Sequence, residues 1–331
     1  MIKKIVLGLS LLLFATASTA STTFANRTDV KNFINHMVKK HHFKQNDLTA
    51  LFSTIKVRPR IIKSVKAPLE QKPWYLYQML FITESRIRQG AQFWNKYATI
   101  LTATEKKYGV PASIIVATIG VETKYGKNTG EYPVIDALAN IGFSNSPRAG
   151  FFRQELEEFL LLCREQHLNP RKVMGSYAGA IGQPQFMPSS YRYFAVSYTG
   201  HTHIDLSHNE GDIIASIANY YKKHGWKTNQ PVAVQATING YHYQELMKTN
   251  TSTKMIPVTD FSRYGITPEA TVPDDLSARL IPLQGYYRNQ YWLGFHNFDV
   301  IKAYNPSNLY AMTVFQLSYY ISSLRTRLDN A

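Results

Sequence analysis

A single glutamate stands at the end of an otherwise apolar stretch of the sequence. Residues Pro111 to Val121 supply aliphatic side chains at helical spacing, and Glu122 follows them shortly before Gly126. In the last turn of an apolar helix, desolvation and the negative end of the helix dipole both raise the pKa of a carboxyl group. A carboxylic acid that stays protonated near neutral pH can donate its proton to a glycosidic oxygen. The alternative is a solvated glutamate that meets water or Lys124.

The segment most suited to face a substrate is glycine-rich, GSYAGAIGQPQFMPSS, and it lies in a gap without acidic residues from Glu165 to Asp205. Ordinary glycosidases use two carboxyl groups. Because this segment contains no acidic residue, it cannot supply the second one. Acidic residues on predicted helices remain as partners, although solvated faces or helix caps are the more usual roles there: Asp136, Glu155, Glu157 and Glu158. The segment offers neutral hydrogen-bonding groups suited to sugar hydroxyls and acetamides: Ser176, Tyr177, Gln183, Gln185 and Ser189.

The N-terminus has the pattern of a secretory signal peptide over residues 1–20. Lys3 and Lys4 precede an apolar run from Ile5 to Phe14, and the small residues ATASTA follow. The run is too short to span a bilayer, and no other stretch predicts a transmembrane segment. No cysteine follows the run, so we expect a soluble, periplasmic mature chain without a lipid anchor.

The chain is strongly basic, with a formal net charge of +15 and a pI of about 9.6. This charge favours anionic partners such as nucleic acid, acidic envelope polymers or anionic lipid head groups. Because the N-terminus predicts export, nucleic acid is the least favoured of the three. The single cysteine, Cys163, excludes an intrachain disulfide, and its place on an apolar helical face predicts a core residue.

Helical patterns dominate the first two thirds of the chain. Residues 21–82 predict a small N-terminal α region, with Asp29 and Asp47 as helix caps, followed by an extended, proline-punctuated connection over residues 57–73. Residues 83–228 predict a helical core, interrupted mainly by loops at Gly126 to Tyr132, at Asn145 to Pro147 and in the glycine-rich segment.

The pattern then changes to that of a small β-containing accessory domain over residues 229–300. Apolar residues alternate from Val232 to Ile238 as in a strand, and the short runs MIPV and RLIPL continue the pattern. Residues 301–331 predict a C-terminal helix that returns to the core, with Ser307 as its N-cap. Its apolar stripe contains Val314, Leu317, Ile321, Leu324 and Leu328. The predicted fold class is therefore mainly α.

Five motifs in order carry a resemblance to a known family: GVETKYG, PVIDALANIGF, GSYAGAIGQPQFMPSSY, ANYYKKHGW and YNPSNLYAMTVFQL. The chain resembles lytic murein transglycosylases of the membrane-bound lytic transglycosylase B (MltB) type over its whole mature length. The resemblance implies a lysozyme-like helical core with small α and β accessory domains. It also implies cleavage of the MurNAc–GlcNAc β-1,4 bond of peptidoglycan without water, which leaves a 1,6-anhydromuramoyl end. Glu122 would then act first as acid and afterwards as base, which accounts for the missing second carboxyl group.

The resemblance also assigns substrate-binding positions. Ser176 and Gln185 match polar active-site residues of the glycine-rich loop, and Tyr77 matches an aromatic residue upstream of the core. Further matches line the substrate groove: Tyr220, Tyr304, Asn305 and Tyr310. A tyrosine in a helical stripe is often a packing residue, so packing is the alternative role for each of these tyrosines.

Neither a metal nor another cofactor is predicted. Members of the family can carry a calcium loop of the form DxSGDG, whereas this chain has AVSYTGHTHIDL at that place, with only Asp205 and Asp212 as nearby carboxylates. Calcium prefers several carboxylate oxygens, so we expect no functional calcium site. His201 and His203 could suggest a softer metal, but two histidines in a polar loop are more commonly solvated.

Three other functions remain open beside the transglycosylase. A lysozyme-type hydrolase would leave reducing ends, and a non-catalytic peptidoglycan-binding scaffold would not need a protonated acid in an apolar setting. A general polyanion binder would lose its affinity steeply with salt. We expect a monomer that binds peptidoglycan glycan strands and no nucleic acid.

Overall fold

The fold is mainly helical, as predicted, with one small antiparallel sheet in the C-terminal half. A computed structural model describes residues 23–64, 72–248 and 254–329. The predicted signal peptide lies outside these residues. Among the helices of the described ranges, none has the length and apolar character needed to cross a bilayer.

The chain separates into two compact units, with the boundary between Lys56 and Val57. The first unit is helical in its described part, as expected for the N-terminal region. Its elements are a short 3-10 helix at Phe24–Asn26, α1 (Thr28–His41) and α2 (Gln45–Phe52).

The two helix caps predicted in this unit were wrong by two and three residues, since the N-caps are Arg27 and Lys44. Helix α1 begins at Thr28 and α2 at Gln45, so Asp29 and Asp47 lie inside the first helical turns. Acidic side chains there still stabilise a helix, because the N-terminal end of its dipole is positive. Asp29 also accepts a hydrogen bond from the backbone N–H of Val30.

The second unit opens with a helix where the sequence predicted an extended connection. Helix α3 (Pro59–Ser64) occupies part of that stretch, and its first residue is a proline. Proline suits this position because the first N–H of a helix has no partner within the helix. The helices that follow are α4 (Trp74–Phe81), α5 (Glu84–Lys96), α6 (Ala98–Tyr108), α7 (Ala112–Thr123), α8 (Val134–Gly142), α9 (Ala149–Glu165), α10 (Pro188–Phe194) and α11 (Glu210–Lys223).

Helix α7 lies at the centre of this unit. It packs against α5, α6 and α11 and against the last helix of the chain, so nearly every residue from Ala112 to Val121 is buried. A helix covered on all sides needs apolar residues on all sides, which explains its sequence. Cys163 is likewise buried, in α9, and the prediction of a core cysteine is confirmed.

The sheet follows the helical core and has five antiparallel strands. In their order across the sheet these are β4 (Ile256–Pro257), β6 (Ser277–Leu283), β7 (Gln290–Gly294), β3 (Ala233–Ile238) and β5 (Ile266–Pro268). The segments PVAVQATING, MIPV and RLIPL contain strands β3, β4 and β6, as predicted. The sequence did not indicate β5 and β7. In the described part of the chain two short strands precede the sheet, β1 (Tyr132–Pro133) and β2 (Met174–Gly175). A helix and a 3-10 helix lie between the strands, α12 (Tyr243–Lys248) and Val258–Tyr264.

Two helices complete the chain, α13 (His296–Tyr304) and α14 (Asn308–Asp329). The predicted domain boundary at residue 300 therefore falls inside α13, while the division into accessory domains stays a prediction. Ser307 is the N-cap of α14, as predicted, since its Oγ accepts hydrogen bonds from the N–H groups of Leu309 and Tyr310. This cap fixes the backbone that carries the side chain of Tyr310.

Candidate active site

Glu122 lies in the last turn of α7, where the sequence placed it, and its side chain is half-buried. The chain turns sharply after it, because Lys124, Tyr125 and Gly126 all adopt left-handed backbone angles, with φ of 52°, 59° and 81°. Thr123 holds this turn: its hydroxyl donates to the carbonyl of Gln183 at 3.1 Å and accepts the N–H of Gly126 at 3.1 Å. The end of α7 is thereby joined to the glycine-rich loop.

The side chain of Tyr125 joins the same turn to α5. Its hydroxyl donates to the carbonyl of Arg86 in α5 at 2.8 Å. The ring lies against two glycines, and a Cβ added at Gly90 or at Gly120 would stand 2.5 Å from its hydroxyl oxygen. Both helices therefore need glycine where the ring passes.

Tyr310 is the direct partner of Glu122. Its hydroxyl donates a 2.6 Å hydrogen bond to Glu122 Oε1, and its side chain is buried in the first turn of α14. Burial, followed by the negative charge of Glu122, raises the pKa of Tyr310 well above its ordinary value. The phenol stays protonated in the physiological range and serves as a permanent donor to the carboxyl group.

Two more of the predicted tyrosines lie in the same cluster. The Tyr304 ring is nearly parallel to that of Tyr310, with centroids 6.2 Å apart, and its hydroxyl donates to the carbonyl of Pro184 at 2.5 Å. Tyr220 packs 4.8 Å from Tyr304 and donates to the carbonyl of Ala303 at 2.7 Å. Because Tyr220 is buried and its hydroxyl is hydrogen-bonded, it packs as a support against the ring of Tyr304.

Sequence reasoning missed two residues that lie behind this cluster. Tyr221 is completely buried, and its hydroxyl is 2.8 Å from Thr118 Oγ1. Burial is the main cause of its raised pKa, and the charge of Glu122 adds to the shift. Thr118 precedes Glu122 by four residues, so both share one face of α7. A polar residue at that spacing in an apolar helix was the available signal.

The glycine-rich loop is held close to the turn after α7. Strands β1 and β2 pair so that Tyr132 faces Gly175, and a Cβ at Gly130 would stand 2.1 Å from the Gly175 carbonyl group. Ser176, which is half-buried, accepts hydrogen bonds from the N–H groups of Ala178 and Ala180 through its Oγ. The hydroxyl of Ser176 thus orders the loop that carries it.

Gln185 occupies a left-handed backbone position, with φ of 51°. Non-glycine residues adopt this conformation rarely and at a cost of roughly 1 kcal/mol or more, so the surrounding contacts must hold it. Its amide nitrogen donates to the carbonyls of Thr129 and Gly182, at 3.1 and 2.9 Å. The bond to Thr129 connects Gln185 with the segment that follows Glu122, and the bond to Gly182 lies within the glycine-rich loop.

The remaining two predicted residues are Asn305, at the end of α13, and Tyr77, in the middle of α4. Asn305 follows Tyr304 directly and forms the half-buried C-cap of α13. Tyr77 is buried in α4 and packs against Phe81 at 4.9 Å. Its neighbour Gln78 donates to Gln316 of α14 at 3.1 Å, so α4 lies beside the helix that carries Tyr310.

Three of the acidic residues weighed as a second acid bind other protein groups. Asp136 forms an ion pair with Arg58 at 2.8 Å. Glu158 is paired with Arg192. Glu155 is buried and accepts both the N–H and the hydroxyl of Ser189, at 3.0 and 2.7 Å.

The loop compared above with a calcium loop is arranged around Asp212. Its buried carboxylate accepts the N–H groups of Tyr198 and Asp205, at 2.8 and 3.0 Å. The exposed His201 places Nε2 3.6 Å from the same carboxylate, whereas His203 is simply exposed. Backbone amides and an imidazole around one carboxylate do not fit calcium, which takes six to eight oxygen ligands. The absence of a calcium site stays a prediction.

Proteins of known identity match this chain along most of its length. The family model described as "Transglycosylase SLT domain" matches residues 25–319. The membrane-bound lytic murein transglycosylase B of Escherichia coli (strain K12) is 37% identical over 314 residues, which cover 92% of this chain and 85% of that protein.

Solved structures match the fold as well. The catenated lytic transglycosylase SltB1 from Pseudomonas aeruginosa superposes with a TM-score of 0.84 at 41% identity, covering 91% of this chain and 99% of that one. SltB3 from Pseudomonas aeruginosa in complex with NAG-anhNAM-pentapeptide superposes with a TM-score of 0.78 at 26% identity, covering 88% and 78%. These matches to lytic transglycosylases confirm the predicted lysozyme-like fold class.

Proposed function

The chain belongs to the transglycosylase SLT domain family and is a lytic transglycosylase, and we propose that Glu122 alone supplies the acid and the base of its reaction. The bond cleaved is the β-1,4 linkage between MurNAc and GlcNAc in peptidoglycan. The hydrogen bond from Tyr310 to Glu122 carries this proposal, because it fixes one carboxyl group at the end of a buried helix.

In the first step, the carboxylic acid of Glu122 gives its proton to the glycosidic oxygen. The bond between that oxygen and C1 of MurNAc breaks, and GlcNAc leaves with a free hydroxyl group. Positive charge develops at C1, where the carbonyl oxygen of the substrate's own 2-acetamido group stabilises it. Tyr310 donates to the carboxylate formed in this step, and a charged acceptor makes that hydrogen bond stronger.

In the second step, the carboxylate of Glu122 takes the proton of the C6 hydroxyl group. O6 then attacks C1, which closes the 1,6-anhydro ring and returns Glu122 to its acidic form. No water enters the balance. The anhydro sugar named with the related SltB3 supports this product for the present chain.

The surroundings of three of the acidic residues weighed as a second acid support a reaction with one carboxyl group. Asp136, Glu155 and Glu158 are each bound to an arginine or a serine that holds a loop or a helix in place. A second catalytic acid would have to leave such a partner, at the cost of an unpaired buried group.

The predicted substrate-binding residues have separate parts in this proposal. Ser176 and Gln185 order the loop beside Glu122 and present neutral polar groups to the sugar, and Asn305 contributes an amide from the end of α13. Tyr304, Tyr310 and Tyr220 form the aromatic wall, while Tyr77 supports it from α4.

The proposed location is the periplasm, where a signal peptide over residues 1–20 would deliver the enzyme to peptidoglycan.

Glu122→Gln tests the mechanism with little change in size. We expect the variant to bind purified peptidoglycan and to lose turnover, whereas Glu84→Gln, an exposed control in α5, should retain it. Mass spectrometry of the wild-type products should detect anhydro ends, which are lighter by one water than the reducing ends of a hydrolase. Reducing ends would establish the lysozyme-type alternative, and full activity of Glu122→Gln would contradict the role of Glu122.

A further inference from the structure

A wide groove lies between the five-stranded sheet and α14, and none of its lining residues belongs to the Glu122 cluster. Its volume is about 1220 Å³. Strand β3, the chain from Gly285 to Trp292 and the middle of α14 form its walls, and Gln78 of α4 closes one side. We call this cavity the sheet groove.

Four exposed tyrosine rings line the sheet groove. Tyr286 and Tyr287 lie on the loop between β6 and β7 and are 72% and 95% exposed. Tyr319 and Tyr320 line the same groove from α14 and are 63% and 40% exposed. Exposed aromatic patches of this kind mark binding sites, because their burial against a ligand is favourable. A sugar ring has apolar C–H faces that can stack on such rings.

A tryptophan ring also lines the same groove. Trp292 lines the groove beside Phe315, with ring centroids 6.1 Å apart. Its indole N–H is buried, and no group in the described part of the chain accepts it. The N–H is therefore out of reach of a ligand in the groove, and Trp292 contributes its ring, next to Phe315, to the groove wall.

The charges at the groove argue against a polyanion. Its lining contains one acid and one base, Glu269 and Arg288, beside neutral amides such as Gln235, Gln290 and Gln316. Nucleic acid or an anionic membrane would require an excess of basic groups. A neutral sugar strand is recognised by aromatic faces and amide groups.

Helix α14 connects the groove with the active site. Tyr310 lies in its first turn, and Tyr319 follows nine residues later, about 14 Å along the helix axis. The hydrogen bond between Gln78 and Gln316 adds α4, the helix of Tyr77, to this connection. One glycan network could therefore contact both places on the same enzyme.

We propose that the sheet groove is a second, non-catalytic binding site for the glycan strands of peptidoglycan. It anchors the enzyme on the polymer while Glu122 acts on another part of it. The inference rests on peptidoglycan as the substrate but not on the chemistry proposed for Glu122, so the two can fail separately.

The test uses the full chain with Glu122→Gln, so that binding is measured without turnover. Tyr287→Ala and Tyr319→Ala are added together, and binding to purified insoluble peptidoglycan is measured by sedimentation. Removing two stacking rings should weaken binding roughly ten-fold. Tyr193→Ala with Tyr241→Ala is the matched control, since both rings are exposed, at 67% and 80%, and neither lines the groove.

A second readout uses the groove variants with Glu122 intact. Turnover of insoluble peptidoglycan should fall, while turnover of short soluble glycan fragments and the melting temperature stay at the wild-type values. Equal binding by groove and control variants would overturn the proposal. So would a wild-type dimer that the groove substitutions dissociate, because the occupant would then be a second copy of the chain.

Discussion

The hydroxyl of Tyr310 donates a 2.6 Å hydrogen bond to Oε1 of Glu122, across 188 positions of sequence. Glu122 lies in the last turn of the central helix α7, and Tyr310 lies in the first turn of α14, whose N-cap is Ser307. The bond joins two helices that are far apart in sequence. The orientation of the carboxyl group therefore depends on how α14 packs against α7 in the core. The same contact keeps the tyrosine protonated, since burial and the charge of Glu122 both raise its pKa.

Tyr310→Phe removes this donor and keeps the ring. We expect kcat to fall roughly ten- to hundred-fold, because a hydrogen bond to a charged group contributes about 1.5–3 kcal/mol. KM should change little. The basic limb of the pH profile should move to higher pH, since loss of a donor disfavours the carboxylate. Steady-state kinetics on soluble glycan fragments at several pH values measure both effects.

Tyr193→Phe is the control for that experiment, because its ring is exposed on α10. It should leave kcat, KM and the pH profile unchanged. If Tyr310→Phe raised KM and kept kcat, Tyr310 would contribute to substrate binding and not to the placement of Glu122.

The sequence predicted those parts of the site that depend on neighbouring residues in the chain, such as helix positions and helix caps. The apolar stretch before Glu122 predicted the buried helix, and Ser307 predicted the start of α14. Chain order alone could not show that Tyr310 reaches Glu122, since that contact depends on how α14 packs against α7. The same limit applies to Tyr221, whose partner Thr118 lies 103 positions away.

Errors arose where tertiary contacts override local signals. The stretch beginning at Val57 contains prolines that favour an extended chain, yet Pro59 starts α3, which packs against α8. Strand β7 was missed because its residues, QYWLG, do not alternate clearly between apolar and polar. It forms a strand because β3 and β6 pair with it on both sides.

Gly120→Ala tests whether the turn after Glu122 must be rigid. The new Cβ would stand 2.5 Å from the hydroxyl oxygen of Tyr125, which would lose its bond to Arg86. We expect the free energy of unfolding to fall by about 1–3 kcal/mol, as in other overpacked cores, and kcat to fall as well. Urea unfolding and kinetics provide the measurements.

Gly150→Ala is the matched control, because nothing lies within 4 Å of a Cβ at that position in α9. Alanine is the better helix former by about 0.5–1 kcal/mol, so this variant should be as stable as the wild type or slightly more so. Wild-type stability and activity of Gly120→Ala would contradict the close packing around Tyr125.

Cys163 should resist thiol reagents in the native protein. Burial raises the pKa of its thiol to about 12, and only the thiolate reacts. Labelling at neutral pH should therefore be slow in buffer and complete in denaturant, which serves as the positive control. Rapid labelling of the folded protein would contradict the burial of α9 at this residue.

A chelator should leave the melting temperature unchanged. The carboxylate of Asp212 accepts two backbone N–H groups, and His201 lies where a calcium loop would place an oxygen ligand. Differential scanning calorimetry with EDTA, and separately with added calcium, measures the effect. A shift of several degrees in either direction would mean that this loop binds calcium after all.

Glu155 should make stability depend on pH. Burial, the largest influence, raises its pKa above the ordinary value of 4.5, although the bonds from Ser189 oppose the shift. The native state therefore holds this proton more tightly than the unfolded state. The resulting stabilisation is fully present below the unfolded pKa and is lost as pH rises through the native pKa.

Glu155→Gln does not titrate, so the stability of the wild type relative to this variant should decrease as pH rises. Urea unfolding at pH values from about 4 to about 8 measures that difference. Glu84→Gln provides the control for the loss of one carboxyl group, because Glu84 lies exposed on α5. A wild-type advantage that grew with pH would mean that the bonds to Ser189 outweigh burial, and that the native pKa of Glu155 lies below its unfolded value.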